Sequence, residues 1–215
     1  MTRPRRKPRL RGRLIVVEGL DGAGTTTQSR LLGERLAAEG RKVHVTAEPS
    51  RGPVGALVRQ VLTRRVVGGG GGFDPAALAL LFAADRVDHH AVEIAPKLAD
   101  GVDVVSDRYV LSSLAYQGLA TGDLAWVETL NARAPAADVT LFLRARPEVA
   151  LRRRRAASLD REIFEVSTFQ RRVAESYERA IGRLRAEGHE VVEIDGEASV
   201  EIVARAVWSA VRRTR

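Results

Sequence analysis

The sequence predicts an α/β fold in which helices cover both faces of a parallel sheet. Short runs of branched apolar residues alternate with longer stretches whose apolar residues recur every three to four positions. This alternation is typical of parallel sheets, and sites in such sheets lie at the carboxyl ends of the strands. Motifs that directly follow a predicted strand are therefore the candidates for function.

Five strands are predicted. The first, at 14–17, is short and β-branched and runs into a glycine-rich turn, as a buried strand does. The other four are predicted at 42–47, 102–106, 138–143 and 191–194.

Helices are predicted between the strands. Gly40 is a natural residue to end the first helix, and Asp74 with Pro75 is a typical helix start. The predicted helices span 29–39, 53–63, 74–98, 112–120, 123–133, 166–184 and 200–211. The five consecutive glycines at 68–72 predict a flexible loop, since fixing the backbone of glycine costs more conformational entropy than fixing that of other residues.

Composition and length limit the class of protein. With 215 residues, 45% of them apolar and 29% charged, the chain suits one folded domain with a small lid. No apolar run reaches the roughly 18 residues of a membrane span, and the basic start lacks the apolar part of a secretory signal. The absence of cysteine excludes disulfides and thiolate chemistry and is compatible with the expected cytoplasmic location. We expect a basic, disordered tail at 1–12, a single domain at 13–215, and a lid at about 152–165.

The positive charge points to anionic partners. Lysine and arginine number 35 against 27 acidic residues, a net charge of +8, and much of it lies in the tail and in the run 152–155. A solvated arm is one interpretation of the tail, and a nucleic-acid-binding arm is another. No aromatic residues are interleaved to stack on bases, so nucleic acid is not expected as the main ligand.

A glycine-rich motif with phosphate-binding spacing follows the first strand. It consists of Gly19, Leu20, Asp21, Gly22, Ala23, Gly24, Thr25 and Thr26. In a strand–loop–helix context this frame is typical of a P-loop, whose backbone N–H groups and following helix attract phosphate oxygens. Thr26 occupies the hydroxyl position that binds Mg²⁺, but Thr25 replaces the motif lysine. A purely structural glycine turn is the alternative, and catalysis would need another cation.

Further polar residues follow the other strands. Asp107 comes directly after the strand at 102–106 and could hold Mg²⁺, while Arg108 could bind a phosphate with its planar guanidinium. Glu48 ends the second strand. Phe82 and Arg86 lie four residues apart on one helix face, where they suit a base-stacking platform and a base-edge contact. The plainer alternatives are a surface ion pair, a turn-closing carboxylate and a core phenylalanine.

The arginine run at 152–155, followed by the charged residues at 160–162, lies between two predicted helical segments. One interpretation is a solvated face with salt bridges. The other is a mobile lid that brings an arginine onto the ATP phosphates, and the missing P-loop lysine favours it.

The order of these pieces resembles the thymidylate kinase family of P-loop nucleoside monophosphate kinases. The matching stretches are 17–24, 48–49, 81–86, 107–109, 112–118 and 160–162, which together span most of the chain. The serine–tyrosine–glutamine stretch at 112–118 is the most specific of them. The resemblance implies the strand order 2-3-1-4-5, ATP and dTMP as substrates, Mg²⁺ as cofactor, and commonly a homodimer.

The resemblance also implies roles for single residues. The dTMP site would comprise Asp21, Glu48, Phe82, Arg86, Arg108, Ser113, Tyr116 and Gln117. Within it, Phe82 would stack on thymine, Arg86 would bond the edge of the base, and Arg108 would hold the phosphate. Asp21 would contact the 3′-hydroxyl of the sugar, and Tyr116 would crowd its 2′ position.

Members of the family place the catalytic arginine, which contacts the ATP phosphates, either in the P-loop or in the lid. Alanine at 23 leaves the P-loop without an arginine, so the resemblance implies that this chain carries the arginine in the lid. The catalytic candidates are Asp107, Arg108, Arg153 and Arg155, and the metal candidates are Thr26 and Asp107. Three alternatives stay open: a kinase for another nucleoside monophosphate, a non-catalytic nucleotide-binding protein, and a nucleic-acid binder that uses the tail.

Overall fold

The architecture is a five-stranded parallel sheet with helices on both faces. A computed structural model describes residues 11–68, 72–157 and 164–214. The strands are β1 (Leu14–Gly19), β2 (Val43–Ala47), β3 (Asp103–Asp107), β4 (Val139–Arg144) and β5 (Val191–Asp195). Their spatial order is β2-β3-β1-β4-β5, which confirms the predicted fold class and strand order.

The central strand β1 joins the two halves of the sheet. It pairs in parallel with β3 on one side and with β4 on the other, and all six of its residues are buried. Because side chains alternate along a strand, Ile15 and Val17 enter the larger apolar core while Leu14 and Val16 enter a smaller one on the opposite face. The motif that follows β1 therefore leaves from the middle of the sheet.

Nine α-helices surround the sheet in the described part of the chain. They are α1 (Thr25–Ala38), α2 (Pro53–Leu62), α3 (Pro75–His89), α4 (Ala95–Ala99), α5 (Val110–Thr121), α6 (Leu124–Asn131), α7 (Pro147–Ala157), α8 (Phe164–Ala186) and α9 (Val200–Arg213). No helix within these ranges is both long and apolar enough to cross a membrane.

The start of one helix and the placement of the arginine run differ from the sequence-based prediction. Helix α1 begins at Thr25 rather than at 29, because the glycine-rich turn leads directly into it. The arginine run at 152–155 lies on a helix, α7, and not between two helices as predicted. Pro147 suits the first turn of α7, where its missing N–H is not needed.

The long helix predicted from 74 to 98 is interrupted by one π-helical turn. Asp74 caps its start, and its carboxylate accepts hydrogen bonds from the Ala76 and Ala77 N–H groups at 2.8 and 3.1 Å. The π-helical turn spans His90–Ile94, just before Pro96. Proline has no N–H group to donate to the preceding turn, and the hydrogen-bond register of the helix changes directly before it.

The start of the described chain is attached to the folded body. The Arg11 side chain donates to the Asp138 carboxylate at 2.6 Å, and the Gly12 N–H donates to the Leu98 carbonyl at 2.8 Å. Residues 1–10, 69–71, 158–163 and 215 lie outside the described part. The predicted tail, most of the glycine loop and part of the lid therefore stay predictions, as does the single domain.

Candidate active site

The glycine-rich loop between β1 and α1 has the geometry of a phosphate cradle. Gly24 adopts a left-handed backbone with φ of 100° and gives the first turn of α1 no side-chain cap. The N–H groups of that turn are thus free for an anion, and the helix dipole adds positive potential there. Phosphate binding is the chemistry that this arrangement supports.

Close packing explains one of the glycines. Gly22 has φ of +94°, and a Cβ atom built there would lie 2.2 Å from the Ala150 carbonyl oxygen of α7. Only glycine fits this contact, which holds the loop against the arginine-bearing helix.

The two threonines of the motif have different environments. Thr25 is buried at 7% exposure, and its short, uncharged side chain cannot supply the positive charge of the motif lysine. The Thr26 hydroxyl donates to Asp107 Oδ2 at 2.5 Å, which brings together the two predicted metal ligands from α1 and β3. The other oxygen of Asp107, Oδ1, is buried without a hydrogen-bond partner in the described structure. An unpaired carboxylate oxygen beside a hydroxyl fits the oxygen ligands that Mg²⁺ prefers.

A cavity of about 210 Å³ opens next to the loop, at the carboxyl ends of β1, β2 and β3. All eight residues predicted for the dTMP site line it: Asp21, Glu48, Phe82, Arg86, Arg108, Ser113, Tyr116 and Gln117. Four further lining residues were not predicted, namely Pro49, Leu62, Tyr109 and Ser112. Pro49, Tyr109 and Ser112 lie within the sequence motifs but were given no role, and Leu62 lies outside every motif.

Arg108 occupies the junction of the loop and the cavity. Its φ of +74° is unusual for a residue with a side chain and is held by hydrogen bonds on both sides of the residue. The Arg108 N–H donates to the Val17 carbonyl at 2.9 Å, and its carbonyl accepts from the Ser106 hydroxyl at 2.8 Å. The strained turn directs the guanidinium to Asp21 of the loop, at 2.6 Å.

Comparison with known proteins agrees with this geometry. A sequence model of the family "Thymidylate kinase" matches residues 17–207. A "Probable thymidylate kinase" of Pyrobaculum calidifontis is 41% identical over 193 residues, covering 88% of this chain and 93% of the relative. A "Thymidylate kinase" of Synechococcus sp. strain JA-2-3B'a(2-13) is 40% identical over 202 residues, covering 92% and 93%.

The chain belongs to the thymidylate kinase family. It is therefore a dTMP kinase, a phosphotransferase that uses ATP, as the resemblance predicted. Members of such ATP-dependent families work with a divalent metal.

In this kinase the predicted base-edge residue, Arg86, is deeply buried and fully engaged by protein groups. It is 1% exposed, and Nε donates to Glu48 at 2.8 Å. Its other donors bond the Ser113 hydroxyl at 3.0 Å, the Tyr109 carbonyl at 3.0 Å and the Asn131 side chain. Nη2 also lies 2.8 Å from Glu48 Oε2, so all five N–H groups have partners and a contact to the edge of a base would have to replace one of them.

The arginines of α7 point in different directions. Arg153 donates to the carbonyls of Gly196 and Glu197 at 2.5 and 2.8 Å, in the turn that follows β5. Among the described side chains of the run 152–155, Arg154 is the one paired with the loop, with Nη1 3.9 Å from Asp21 Oδ2. The side chain of Arg155 lies outside the described residues. The structure thus gives Arg153 partners other than the loop, and the predicted catalytic roles of Arg153 and Arg155 stay predictions.

A buried carboxylate that the sequence motifs did not single out supports the Arg108 turn. Glu18 is fully buried, and its Oε1 accepts from the N–H groups of Tyr109 at 2.8 Å and Ser112 at 3.1 Å. The Ser112 hydroxyl donates to Oε2 at 2.5 Å. Burial raises the pKa of Glu18 to about 7, although Arg108 and these hydrogen bonds act to lower it. The signal available in the sequence was one acidic residue within an otherwise apolar strand.

We expect the free energy of unfolding of Glu18→Gln, compared with that of wild type at the same pH, to be more favourable at about pH 8 than at about pH 5. The pKa of Glu18 is raised from 4.5 to about 7 in the folded state, so the folded protein holds a proton that the unfolded chain has released. The free energy of unfolding of wild type therefore falls as pH rises from 4.5 to about 7, by on the order of 3 kcal/mol at most. Glutamine cannot ionise and escapes this loss. Urea unfolding of both proteins at the two pH values measures the difference.

The matched control is Glu34→Gln, which removes an exposed carboxylate, 59% exposed, on α1. A stability difference between Glu18→Gln and wild type that stays constant with pH would show that Glu18 does not titrate in this window.

Proposed function

We propose that the kinase transfers the γ-phosphoryl group of ATP, bound at the loop 19–26, to the phosphate of dTMP, bound in the cavity behind Arg108, to give dTDP. The observation that carries this proposal is the Arg108–Asp21 ion pair of 2.6 Å, since it joins the loop and the cavity at one point. A phosphoryl group on the loop and a phosphate on Arg108 would meet there. Positioning and charge stabilisation then supply the rate, and no covalent intermediate with the protein is needed.

Thr26 and Asp107 are proposed to hold Mg²⁺. The support is their hydrogen bond of 2.5 Å and the unpaired, buried Oδ1 atom of Asp107. The metal ion would neutralise phosphate charge during transfer. Apart from this, the chain itself orients the acceptor through Arg108 and supplies cationic charge from α7 through Arg154.

The acceptor pocket is proposed to recognise a deoxyribonucleotide. Phe82 and Tyr116 supply aromatic surfaces for a base and a sugar, and Tyr116 lies beside Arg108, whose guanidinium carbon is 5.5 Å from the centre of the Tyr116 ring. The Tyr116 ring would leave little room for a 2′-hydroxyl when the nucleotide phosphate is on Arg108. Ser113 and Gln117, one turn apart on α5, line the same cavity.

The test is a coupled assay of ADP release with ATP, Mg²⁺ and a panel of acceptors: dTMP, dUMP, dCMP, dGMP and ribothymidine monophosphate. We expect the highest kcat/KM with dTMP and a clear loss with the ribonucleotide. Absence of ADP release with dTMP would favour a non-catalytic nucleotide-binding protein. A higher kcat/KM with another monophosphate would assign a different acceptor.

A homodimer is proposed on the basis of exposed apolar residues on α2 and α3. Leu80 and Val87 are 51% and 40% exposed and lie on the same face of α3, seven residues apart. Leu57 of the neighbouring α2 is 36% exposed. Clustered exposed apolar residues are typical of protein interfaces. Sedimentation velocity of wild type against Leu80→Asp tests the dimer.

The small nucleotide substrates also lead us to propose a cytoplasmic location, and nucleic acid is not proposed as a main ligand.

A further inference from the structure

One buried hydroxyl group lies where the phosphate-binding loop and the acceptor pocket meet. It belongs to Tyr177 of α8, whose side chain is fully buried. The hydroxyl donates to the Gly19 carbonyl at 3.1 Å, and Arg108 Nη1 donates to the hydroxyl at 3.2 Å. A single oxygen atom therefore contacts the first residue of the donor loop and the arginine of the acceptor pocket.

The position of this hydroxyl is fixed by the ring that carries it. The Tyr177 ring lies 5.0 Å from the Phe142 ring of β4 and meets the Tyr116 ring edge-on at 6.0 Å. The hydroxyl is also 3.0 Å from the Ser112 hydroxyl at the start of α5. Aromatic packing of this kind leaves a buried tyrosine little freedom, so its oxygen is a fixed reference point.

The partners of Arg108 divide into neutral and charged groups. Nη1 donates to the neutral hydroxyls of Ser112, at 2.8 Å, and Tyr177, whereas Nη2 donates to the carboxylate of Asp21. An incoming phosphate repels the Asp21 carboxylate and competes with it for Nη2, whereas no charge repulsion opposes the two neutral hydroxyls on Nη1. Burial raises the pKa of Tyr177 well above its usual value, so the hydroxyl keeps the proton that it donates to Gly19, with Glu18 Oε2 as a more distant acceptor at 3.4 Å. One side of the guanidinium thus stays anchored while the other is available to the nucleotide.

We propose that Tyr177 is a positioning residue that fixes Arg108 relative to the start of the phosphate-binding loop, and so sets the distance between the donor and acceptor phosphates. The inference rests on the proposed phosphoryl transfer. It assigns to the hydroxyl a role in aligning two substrates, beyond the filling of the core by the aromatic ring.

The first experiment is steady-state kinetics of Tyr177→Phe, which keeps the ring and removes only the oxygen. We expect kcat to fall about tenfold and KM for dTMP to rise about fivefold, because Arg108 loses one of its two neutral anchors. KM for ATP should change less than about twofold, since the backbone of the loop remains. The control is Ser176→Ala, which removes a buried hydroxyl from the adjacent position of the same helix. It should leave all three constants within about twofold.

The second experiment is a double-mutant cycle with Arg108→Lys. Lysine keeps the positive charge but lacks the guanidinium fork, so it cannot reproduce the Nη1 contact. Dissociation constants for dTMP are measured by titration calorimetry. Tyr177→Phe should weaken dTMP binding about fivefold when Arg108 is present and less than about twofold in the Arg108→Lys background. A role in general stability would reduce affinity equally in both backgrounds.

Two results would overturn the inference: wild-type kinetics for Tyr177→Phe, or equal losses of affinity in both backgrounds. Measuring the wild-type enzyme in the same assay distinguishes a failure of the positioning role from a failure of the proposed function. If wild type does not phosphorylate dTMP, the proposed function fails, whereas an active wild type with an unaffected Tyr177→Phe variant contradicts only the positioning role.

Discussion

Replacing Arg108 by alanine is expected to lower kcat/KM for dTMP by about a hundredfold or more, because a hydrogen bond to a charged group contributes up to about 3 kcal/mol. Arg108 is the cation that contacts Asp21 of the loop and also lines the acceptor cavity. Without it, the dTMP phosphate loses its proposed binding partner, and the buried Glu18 loses a nearby positive charge. Steady-state kinetics with dTMP varied at saturating ATP measures the effect.

Two further variants make this result specific. Arg108→Lys restores the charge but not the fork, so it should recover only part of the lost kcat/KM. Arg183→Ala, which removes a half-exposed arginine paired with Glu128 on α6, should remain within about twofold of wild type. If Arg108→Ala keeps full activity while its fold is intact, the acceptor phosphate is bound elsewhere.

Replacing Arg154 by alanine is expected to lower kcat by about a hundredfold or more, toward the range that an arginine finger supplies. Thr25 is buried and carries no charge, so the loop lacks the lysine that stabilises the transferring phosphoryl group in other P-loop enzymes. Among the α7 arginines whose side chains are described, Arg154 forms an ion pair with Asp21, at 3.9 Å. KM for dTMP should change little, because the acceptor contacts lie on other elements.

Arg153→Ala is the matched comparison. Its guanidinium bonds the carbonyls of Gly196, Glu197 and Ala198, so we expect the substitution to destabilise the turn after β5 and to change kcat by less than about tenfold. A larger loss of kcat in Arg153→Ala than in Arg154→Ala would return the catalytic role to Arg153, as the sequence-based hypothesis had it.

A second substitution tests whether charge is what Arg154 supplies. Thr25→Lys should restore at least about tenfold of the activity lost in Arg154→Ala, since a lysine at this position of the motif reaches the same phosphates. In wild type the same change should alter turnover only modestly. No rescue by Thr25→Lys would mean that Arg154 acts through geometry rather than charge.

Much of the fold followed from the sequence because its signals are local. The branched apolar runs placed all five strands, and the break from strand to glycine-rich turn placed the loop at 19–26. The fold class then placed Asp107, Arg108 and Glu48 near that loop, because parallel strands end at one edge of the sheet. The family resemblance added the strand order, which no local pattern contains.

Other features could not be predicted because they depend on packing between distant parts of the chain. The run of four arginines has no internal signal that separates Arg153 from Arg154. Their directions follow from the helix on which they lie and from the contact of Gly22 with Ala150. Asn131 likewise gave no signal, yet it accepts a hydrogen bond from Arg86, 45 residues away in sequence.

The sequence by itself determined the order of the strands and of the described helices other than α7, the phosphate-binding loop and the family, since periodicity, glycine spacing and the order of motifs can be read along the chain. Only the tertiary structure decided which side chains support the reacting groups. The hydroxyl of Tyr177 contacts Gly19 across 158 positions of sequence, and Glu18 reaches Ser112 across 94. Such contacts exist only once the helices have packed on the sheet, because a buried polar atom takes the partners that the completed core brings within reach.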